Sequence, residues 1–122
     1  MRNIHLPQRI ISLAREEAEK SNVKRAKVSA LVLDKQLRHV FAKAHNLICM
    51  SDSRRFTIHA EEAVVLKTRK ELKDYVLLVY RRKKVGDGTS KPCKKCRKLI
   101  EIAGVKKVIY LNEFGDYVME HI

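Results

Sequence analysis

The sequence predicts an α/β fold: a three-layer α/β/α sandwich in which helices cover both faces of one mixed sheet of about five strands. The order of patterns along the chain carries this prediction, because an amphipathic helix and two strands are followed by helix and strand in alternation. The length favours a single domain, because 122 residues with 45% hydrophobic content are enough to bury one core without a disulfide. We therefore expect a single domain over residues 1–122.

The first half of the chain contains one helix pattern and two strand patterns. In LPQRIISLAREEAEKS, residues 6–21, apolar side chains recur three and four positions apart, which predicts the first helix. The apolar runs AKVSALVLD and LRHVFAKA are separated by a short polar stretch, which predicts two adjacent antiparallel strands. Residues 45–58 are polar and irregular, and no regular element is predicted there.

The second half alternates helices and strands. In order, we predict HAEEAVVLKTRKEL as a helix, YVLLVY as a central strand, RRKKVGDGTSK as a loop or short ribbon, PCKKCRKLIEIAG as a helix and VKKVIYL as a strand. Pro92 is allowed in the first turn of the third helix, and Gly104 is suited to end it. The last residues, DYVMEHI, fit either a short edge strand or a helical turn.

The composition is strongly basic, with 27 Lys and Arg against 14 Asp and Glu and a net charge of +13. Such a charge favours binding of phosphates, although a surface charged for solubility or thermal stability explains it equally well. The first twenty residues interrupt every apolar run with charge, so neither a secretory signal nor a membrane span is expected, and we predict a cytoplasmic protein. Three cysteines, an odd number, favour thiols or metal ligands over a disulfide framework.

Potential metal ligands stand at the start of two predicted helices. His59 opens the second helix, and Cys93 and Cys96 open the third on one helical face. One imidazole and two thiolates fill three positions of a zinc tetrahedron and leave one for water, as in catalytic sites. Glu61 is close enough to move that water's proton. A redox cysteine pair, or a closed structural zinc site completed by Cys49 or His45, are the alternatives.

HAE at residues 59–61 followed by PCKKC at residues 92–96 resembles the zinc-dependent cytidine and deoxycytidylate deaminase superfamily. The longer segment before PCKKC is similar to that of short phage, viral and archaeal deaminase-like proteins. The resemblance implies a zinc cofactor held by His59, Cys93 and Cys96, with Glu61 as the catalytic proton shuttle. It also implies a cytidine-deaminase-like sheet and hydrolysis at C4 of cytosine or at the equivalent carbon of a purine.

The same resemblance suggests substrate-binding residues and partners. It places Asn46 against the sugar or base and the backbone at Ala60 and around Ser90 against the base edge. Apart from the resemblance, aromatic residues such as Phe56 are expected to pack in the core, but Phe56 is the best candidate for an aromatic wall because a flipped base needs a flat apolar surface. Basic residues flank the motifs, so a cytosine-containing nucleotide or single-stranded nucleic acid is the expected substrate. A tRNA adenosine deaminase, or a silent nucleic-acid-binding relative with structural zinc, are alternatives. The resemblance further implies a homo-oligomer, dimer or tetramer.

Overall fold

The computed structural model describes residues 2–68, 71–83 and 86–122. Within these ranges the helices are α1 (Gln8–Glu19), α2 (Ala60–Thr68) and α3 (Lys94–Ile102). The strands there are β1 (Arg2–Asn3), β2 (Lys27–Asp34), β3 (Val40–His45), β4 (Leu47–Ser51), β5 (Arg54–Ile58), β6 (Tyr75–Arg82), β7 (Asp87–Gly88), β8 (Lys107–Leu111) and β9 (Tyr117–His121). None of the helices in the described ranges is long and apolar enough to span a bilayer.

The central sheet is mixed, as predicted, but it contains seven strands among the described residues where about five were predicted. Its strands follow the order β1-β9-β8-β6-β2-β3, and the short β7 pairs with β6 beyond this path. Neighbours are antiparallel except β6 and β8, which are parallel because α3 carries the chain back between them. The predicted central strand is β6, and the predicted antiparallel pair of strands is β2 with β3.

Helices cover both faces of this sheet, so the three-layer arrangement is confirmed. On one face, Ile10 of α1 packs in a buried cluster with Leu31 and other strand residues. On the other face, Val64 of α2 and Ile100 of α3 pack in a second cluster with Val32. Leu31 and Val32 belong to opposite clusters because successive side chains of a strand point to opposite faces. Apolar residues on both faces of β2 explain its nearly continuous hydrophobic run.

The helix ends follow local chemistry. Pro7 directly precedes α1, where its missing N–H is no loss. Gly104 follows the end of α3 with a φ of +93°, a left-handed conformation that glycine adopts without steric strain. The second helix was predicted over residues 59–72. The structure describes it from Ala60 to Thr68, positions 69–70 lie outside the described residues, and Glu71 and Leu72 are not helical, so the prediction was wrong there.

One prediction of irregular structure was wrong. Residues 47–58 form a β-hairpin in which β4 pairs with β5, and Ser51 stands opposite Arg54. The two residues between them, Asp52 and Ser53, both have positive φ values of 48° and 66°. This pair of conformations is that of a two-residue type I′ turn, whose usual Asn-Gly or Asp-Gly signature the sequence lacks.

Two further segments whose structure was left open, DYVMEHI and RRKKVGDGTSK, contain strand residues. The C-terminal residues predicted as strand or helical turn form β9, and the unpredicted two-residue β1 covers its outer edge. The segment predicted as a loop or short ribbon is partly ribbon, because β6 continues to Arg82 and pairs there with β7. Lys84, within the predicted basic block, lies outside the described residues.

Candidate active site

The N-termini of α2 and α3 meet at the same edge of the sheet. His59 directly precedes α2, and its carbonyl accepts the first helical hydrogen bond, from the N–H of Ala63 at 2.9 Å. Cys93 caps α3 in the same way, because its carbonyl accepts from the N–H of Arg97 at 2.8 Å. Cys96 lies in the first turn of α3. The positive ends of both helix dipoles therefore face the same small volume.

The three predicted ligands form a group with the dimensions of a metal site. The ligand atoms of His59, Cys93 and Cys96 all lie within 4.8 Å of one another, and Cys96 Sγ lies 3.2 Å from His59 Nδ1. Tetrahedral zinc with bonds of about 2.0 Å to nitrogen and 2.3 Å to sulfur separates its ligands by roughly 3.5–3.8 Å. The arrangement of one imidazole and two thiols therefore fits zinc.

The proposed fourth ligands of a closed site are elsewhere. Among the described residues, the group contains neither Cys49 nor His45. Cys49 lies in β4, and His45 Nδ1 is 2.7 Å from Glu17 Oε2, a contact that occupies this ring nitrogen. Within the described residues the group therefore offers three ligands, the number that catalytic zinc sites take from the protein.

Cys96, a member of this group, and the neighbouring Glu61 are both buried. Without a bound metal, their surroundings disfavour a negative charge on either side chain. Cys96 is 2% exposed, and burial, together with the nearby Glu61 carboxylate, raises the pKa of its thiol. Glu61 is 5% exposed, and burial raises the pKa of its carboxyl, partly offset by a hydrogen bond from its own backbone N–H. A divalent cation at this place would compensate the negative charge that burial otherwise penalises.

A cavity of about 350 Å³ opens beside the three ligands. This volume lies in the range of small-molecule pockets, roughly 300–1,000 Å³. The residues that line it are Val23, Ala26, Val28, Asn46, Thr57, His59, Ala60, Glu61, Val79, Arg81, Ser90, Lys91 and Cys93. The structure therefore brings Glu61, two metal-ligand candidates and three of the four predicted substrate-binding residues to one cavity.

Asn46 is a buried wall residue whose amide is held by the backbone. Its side-chain oxygen accepts a hydrogen bond from the N–H of Val28 at 3.0 Å, and its side-chain NH₂ donates to the carbonyl of Ala26 at 2.7 Å. These bonds extend the pairing of β2 beyond the point where β3 ends. The amide keeps one further N–H and one lone pair, so the position remains able to contact a ligand.

Ser90 has a comparable structural role. Its buried hydroxyl donates to the carbonyl of Val79 at 2.7 Å and accepts from the N–H of Leu111 at 2.9 Å, while its own N–H donates to the carbonyl of Leu111 at 3.1 Å. The hydroxyl thereby links β6 to the end of β8. This link fixes the backbone that leads from Ser90 to Cys93.

Phe56 is the predicted substrate-binding residue that the structure does not bring to the cavity. It is 46% exposed on β5, and its neighbour Thr57 lines the cavity instead. Alternate residues of a strand point to opposite faces, so Thr57 and Phe56 cannot both face inward. Flatness and hydrophobicity had suggested Phe56, but the register of the hairpin decides which residue points to the site.

Arg81 and Lys91 belong to the lining, although single-residue roles for them were not predicted. Arg81 stands opposite Val28 in the pairing of β6 with β2 and opposite Gly88 of β7. Its Nε is buried and has no hydrogen-bond partner among the residues that the structure describes. The basic block in RRKKVGDGTSK was the available signal, but only strand register shows that Arg81 faces the cavity.

The amino-acid sequence matches the family model of the cytidine and deoxycytidylate deaminase zinc-binding region over residues 5–112. The chain belongs to this family. Its members are zinc-dependent hydrolytic deaminases, so the predicted enzyme class and zinc cofactor are confirmed. Family membership supports deamination of cytidine-type substrates. A search of curated proteins found no match.

Solved deaminase structures share the fold. The dCMP deaminase from the cyanophage S-TIM5, in apo form, superposes with a TM-score of 0.62 at 26% sequence identity, over 83% of this chain and 78% of that chain. The cytidine deaminase from Burkholderia pseudomallei superposes with a TM-score of 0.67 at 19% identity, over 96% of this chain and 93% of that chain. The predicted cytidine-deaminase-like architecture is confirmed by these likenesses.

Proposed function

We propose that this deaminase converts cytosine to uracil by hydrolysis in a substrate that carries phosphate, either a nucleotide or a nucleotide unit of single-stranded nucleic acid. The observation that carries the proposal is the position of Glu61. Its buried carboxyl lines the same cavity as His59 and Cys93, and the buried Cys96 lies next to it. Metal ligands, a proton carrier and space for a base therefore meet at one place.

The residues divide into metal ligands and a proton carrier. His59, Cys93 and Cys96 would hold zinc, which when bound would supply Lewis acidity and make water nucleophilic at neutral pH. The Glu61 carboxylate accepts a proton from the attacking water and delivers a proton to the departing amino nitrogen. One water is consumed for each cytosine, and uracil and ammonia are the products.

The walls of the cavity orient the base. Ala60 begins α2, and the N–H groups of a helix's first turn have no partner within the helix, so they are available to a base oxygen. Asn46 and Ser90 are held by the hydrogen bonds described above, so their positions are set before a ligand enters. Val28 and Val79 supply apolar surface for the faces of the ring.

Two cations in the cavity wall support a phosphate-bearing substrate. Arg81 and Lys91 line the same cavity as Glu61, and the buried Nε of Arg81 lacks a partner within the described residues. A guanidinium suits the geometry of phosphate, and an exposed lysine adds a second positive charge. A neutral nucleoside has no group that requires either cation.

Steady-state kinetics of the zinc-loaded protein on deoxycytidine, dCMP, cytidine and CMP tests this proposal. Glu61→Gln should lower the rate of uracil formation on all four by about 10²-fold or more and leave zinc content unchanged. Arg81→Gln should lower kcat/KM for the nucleotides and not for the nucleosides. Arg38→Gln is the control, because Arg38 is an exposed arginine in the turn beyond the far end of β2.

Equal kcat/KM for nucleosides and nucleotides, with no dependence on salt, would contradict the phosphate part of the proposal. Inosine from adenosine, without uracil from cytidine, would contradict the choice of base. The homo-oligomer stays a prediction, which sedimentation velocity of the same protein tests.

A further inference from the structure

Three depressions join end to end on the side of the molecule where the cavity opens. The active-site cavity and a second depression share Val23 and Thr57, and the second shares Lys24 and Arg25 with a third. We call the second and third depressions the track. Its lining residues are Glu19, Asn22, Val23, Lys24, Arg25, Lys27, Ile48, Arg55, Thr57, Arg82 and Lys83. The track therefore runs from the cavity across the surface, past the end of α1.

The track is basic along its whole length. Among its described lining residues the only carboxylate is that of Glu19, which pairs with Arg82. Within the described part of the chain, no carboxylate lies at ion-pair distance from Lys24, Arg25 or Arg55. Neighbouring unpaired cations repel one another, and an anion that lies between them relieves this repulsion.

The surface of the track is fixed before any ligand binds. The Asn22 side-chain NH₂ donates to the carbonyl of Ile48 at 3.1 Å, and its oxygen accepts from the N–H of Ile48 at 2.7 Å. This pair of bonds holds the β4–β5 hairpin against the segment that leads into β2. The register of the hairpin puts Thr57, Ile48 and Arg55 on one face. Thr57 lies at the cavity edge, Ile48 beside it is apolar, and Arg55 adds a positive charge further along.

We infer that the substrate is a single-stranded nucleic acid, whose backbone follows the track while one cytosine enters the cavity. This inference rests on the proposed function. The charge distribution favours a strand over a free nucleotide, because Arg81 and Lys91 already serve one phosphate at the cavity, whereas Lys24, Arg25 and Arg55 lie outside it. A row of cations beyond the reacting site matches a polymer of phosphates.

Single strands fit better than duplex for a reason of access. The reacting carbon of the base must approach a carboxyl that is 5% exposed, so the base has to leave any stack in order to enter. A base in a duplex would first have to be unpaired and flipped, and an unpaired strand avoids this step. The apolar side chains of Ile48 and Val23 offer contact surface to unstacked neighbouring bases.

The test compares two triple variants of equal charge. The track variant combines Lys24→Gln, Arg25→Gln and Arg55→Gln. The control combines Arg9→Gln, Lys35→Gln and Arg38→Gln, which also removes one lysine and two arginines. Lys35 and Arg38 belong to the turn beyond Asp34, and the two ends of β2 are roughly 23 Å apart at 3.3 Å per residue. Both variants should lower the net charge by the same amount.

Each protein is assayed for deamination of dCMP and of cytosine-containing single strands of DNA and RNA of about twelve nucleotides. Binding of the strands, and of the corresponding duplex, is followed by fluorescence anisotropy at several salt concentrations. We expect the track variant to lose about tenfold or more in kcat/KM on strands and to keep its activity on dCMP. The slope of log affinity against log salt should shrink by about 2, since three contacts contribute about 0.7 each.

Three results would overturn the inference: a strand used no better than dCMP, equal losses in the two triple variants, or a duplex bound as tightly as the single strand. The first would indicate a free-nucleotide enzyme and the second a general effect of net charge. Absence of uracil from every substrate would instead overturn the proposed function. In that case the anisotropy still tests whether the track binds single strands. A loss of strand binding confined to the track variant supports this role, and equal losses in both triple variants contradict it.

Discussion

Replacing Ser90 by alanine separates the structural role of this residue from its predicted place in the substrate site. The hydroxyl satisfies two buried backbone groups, the carbonyl of Val79 and the N–H of Leu111. Leaving one buried polar group without a partner costs about 1–3 kcal/mol. The carbonyl of Val79 and the N–H of Leu111 both lose this bond, and the adjacent cavity can admit water to the vacated space. We therefore expect a loss of about 2–3 kcal/mol in the free energy of unfolding.

Urea denaturation of the zinc-loaded protein, followed by circular dichroism, measures this loss. For a chain of this length, about 2–3 kcal/mol lowers Tm on the order of 10 °C. The matched control is Ser12→Ala on the exposed face of α1, where alanine is the better helix former and stability should rise by a few tenths of a kcal/mol. If the free energy of unfolding of Ser90→Ala lay within about 0.5 kcal/mol of the wild-type value, the structural role of the Ser90 hydroxyl would be contradicted.

Three other predictions concern the metal, a buried carboxylate and the hairpin. Removal of zinc by a chelator should lower Tm, with a stabilisation by metal of about 2.7 kcal/mol when free zinc is 100-fold above its Kd, and Cys96→Ser should reduce the difference between zinc-loaded and zinc-free protein in scanning calorimetry. Burial raises the pKa of the Glu17 carboxyl, but contacts with His45 and Lys20 outweigh it and lower this pKa below its ordinary value. The ionised carboxylate thus stabilises the fold above the unfolded-state pKa, and this stability is lost as pH falls through the folded-state pKa. Glu17→Gln should therefore unfold more readily at neutral pH and show a flatter loss of stability in acid titrations, whereas an unchanged acid limb would contradict the pairing. Asn22→Ala should free the hairpin and speed amide hydrogen exchange at Ile48, and unchanged exchange there would contradict its anchoring role.

The metal group was predictable because its residues lie at fixed positions relative to helix starts. His59 and Glu61 are separated by one residue, and Cys93 and Cys96 by one turn, so each half of the site is set by local geometry. The order of helices and strands then brings the two halves together, because both helices pack on the same face of the sheet. Most of the fold follows from apolar periodicity for the same local reason.

The rest depended on contacts between distant parts of the chain. Asp52 and Ser53 adopt left-handed conformations without glycine, so the hairpin they join had no turn signature. Thr57 faces the cavity and Phe56 does not, because the pairing register of β4 with β5 decides which alternate residues of β5 point to the cavity. The periodicity of a short polar strand does not determine that register. Arg81 reaches the cavity through its pairing opposite Val28, a relation that exists only once the order of strands is known.

The role of Glu61 in deamination is tested by the rate of uracil formation from dCMP and from a cytosine-containing single strand, by the wild type and by Glu61→Gln at equal zinc content. We expect uracil from the wild type and a loss of about 10²-fold or more in the variant, because proton transfer by a positioned carboxyl contributes about 10²–10⁴-fold. Zinc-loaded wild type without uracil product, or a variant as active as the wild type, would contradict this role.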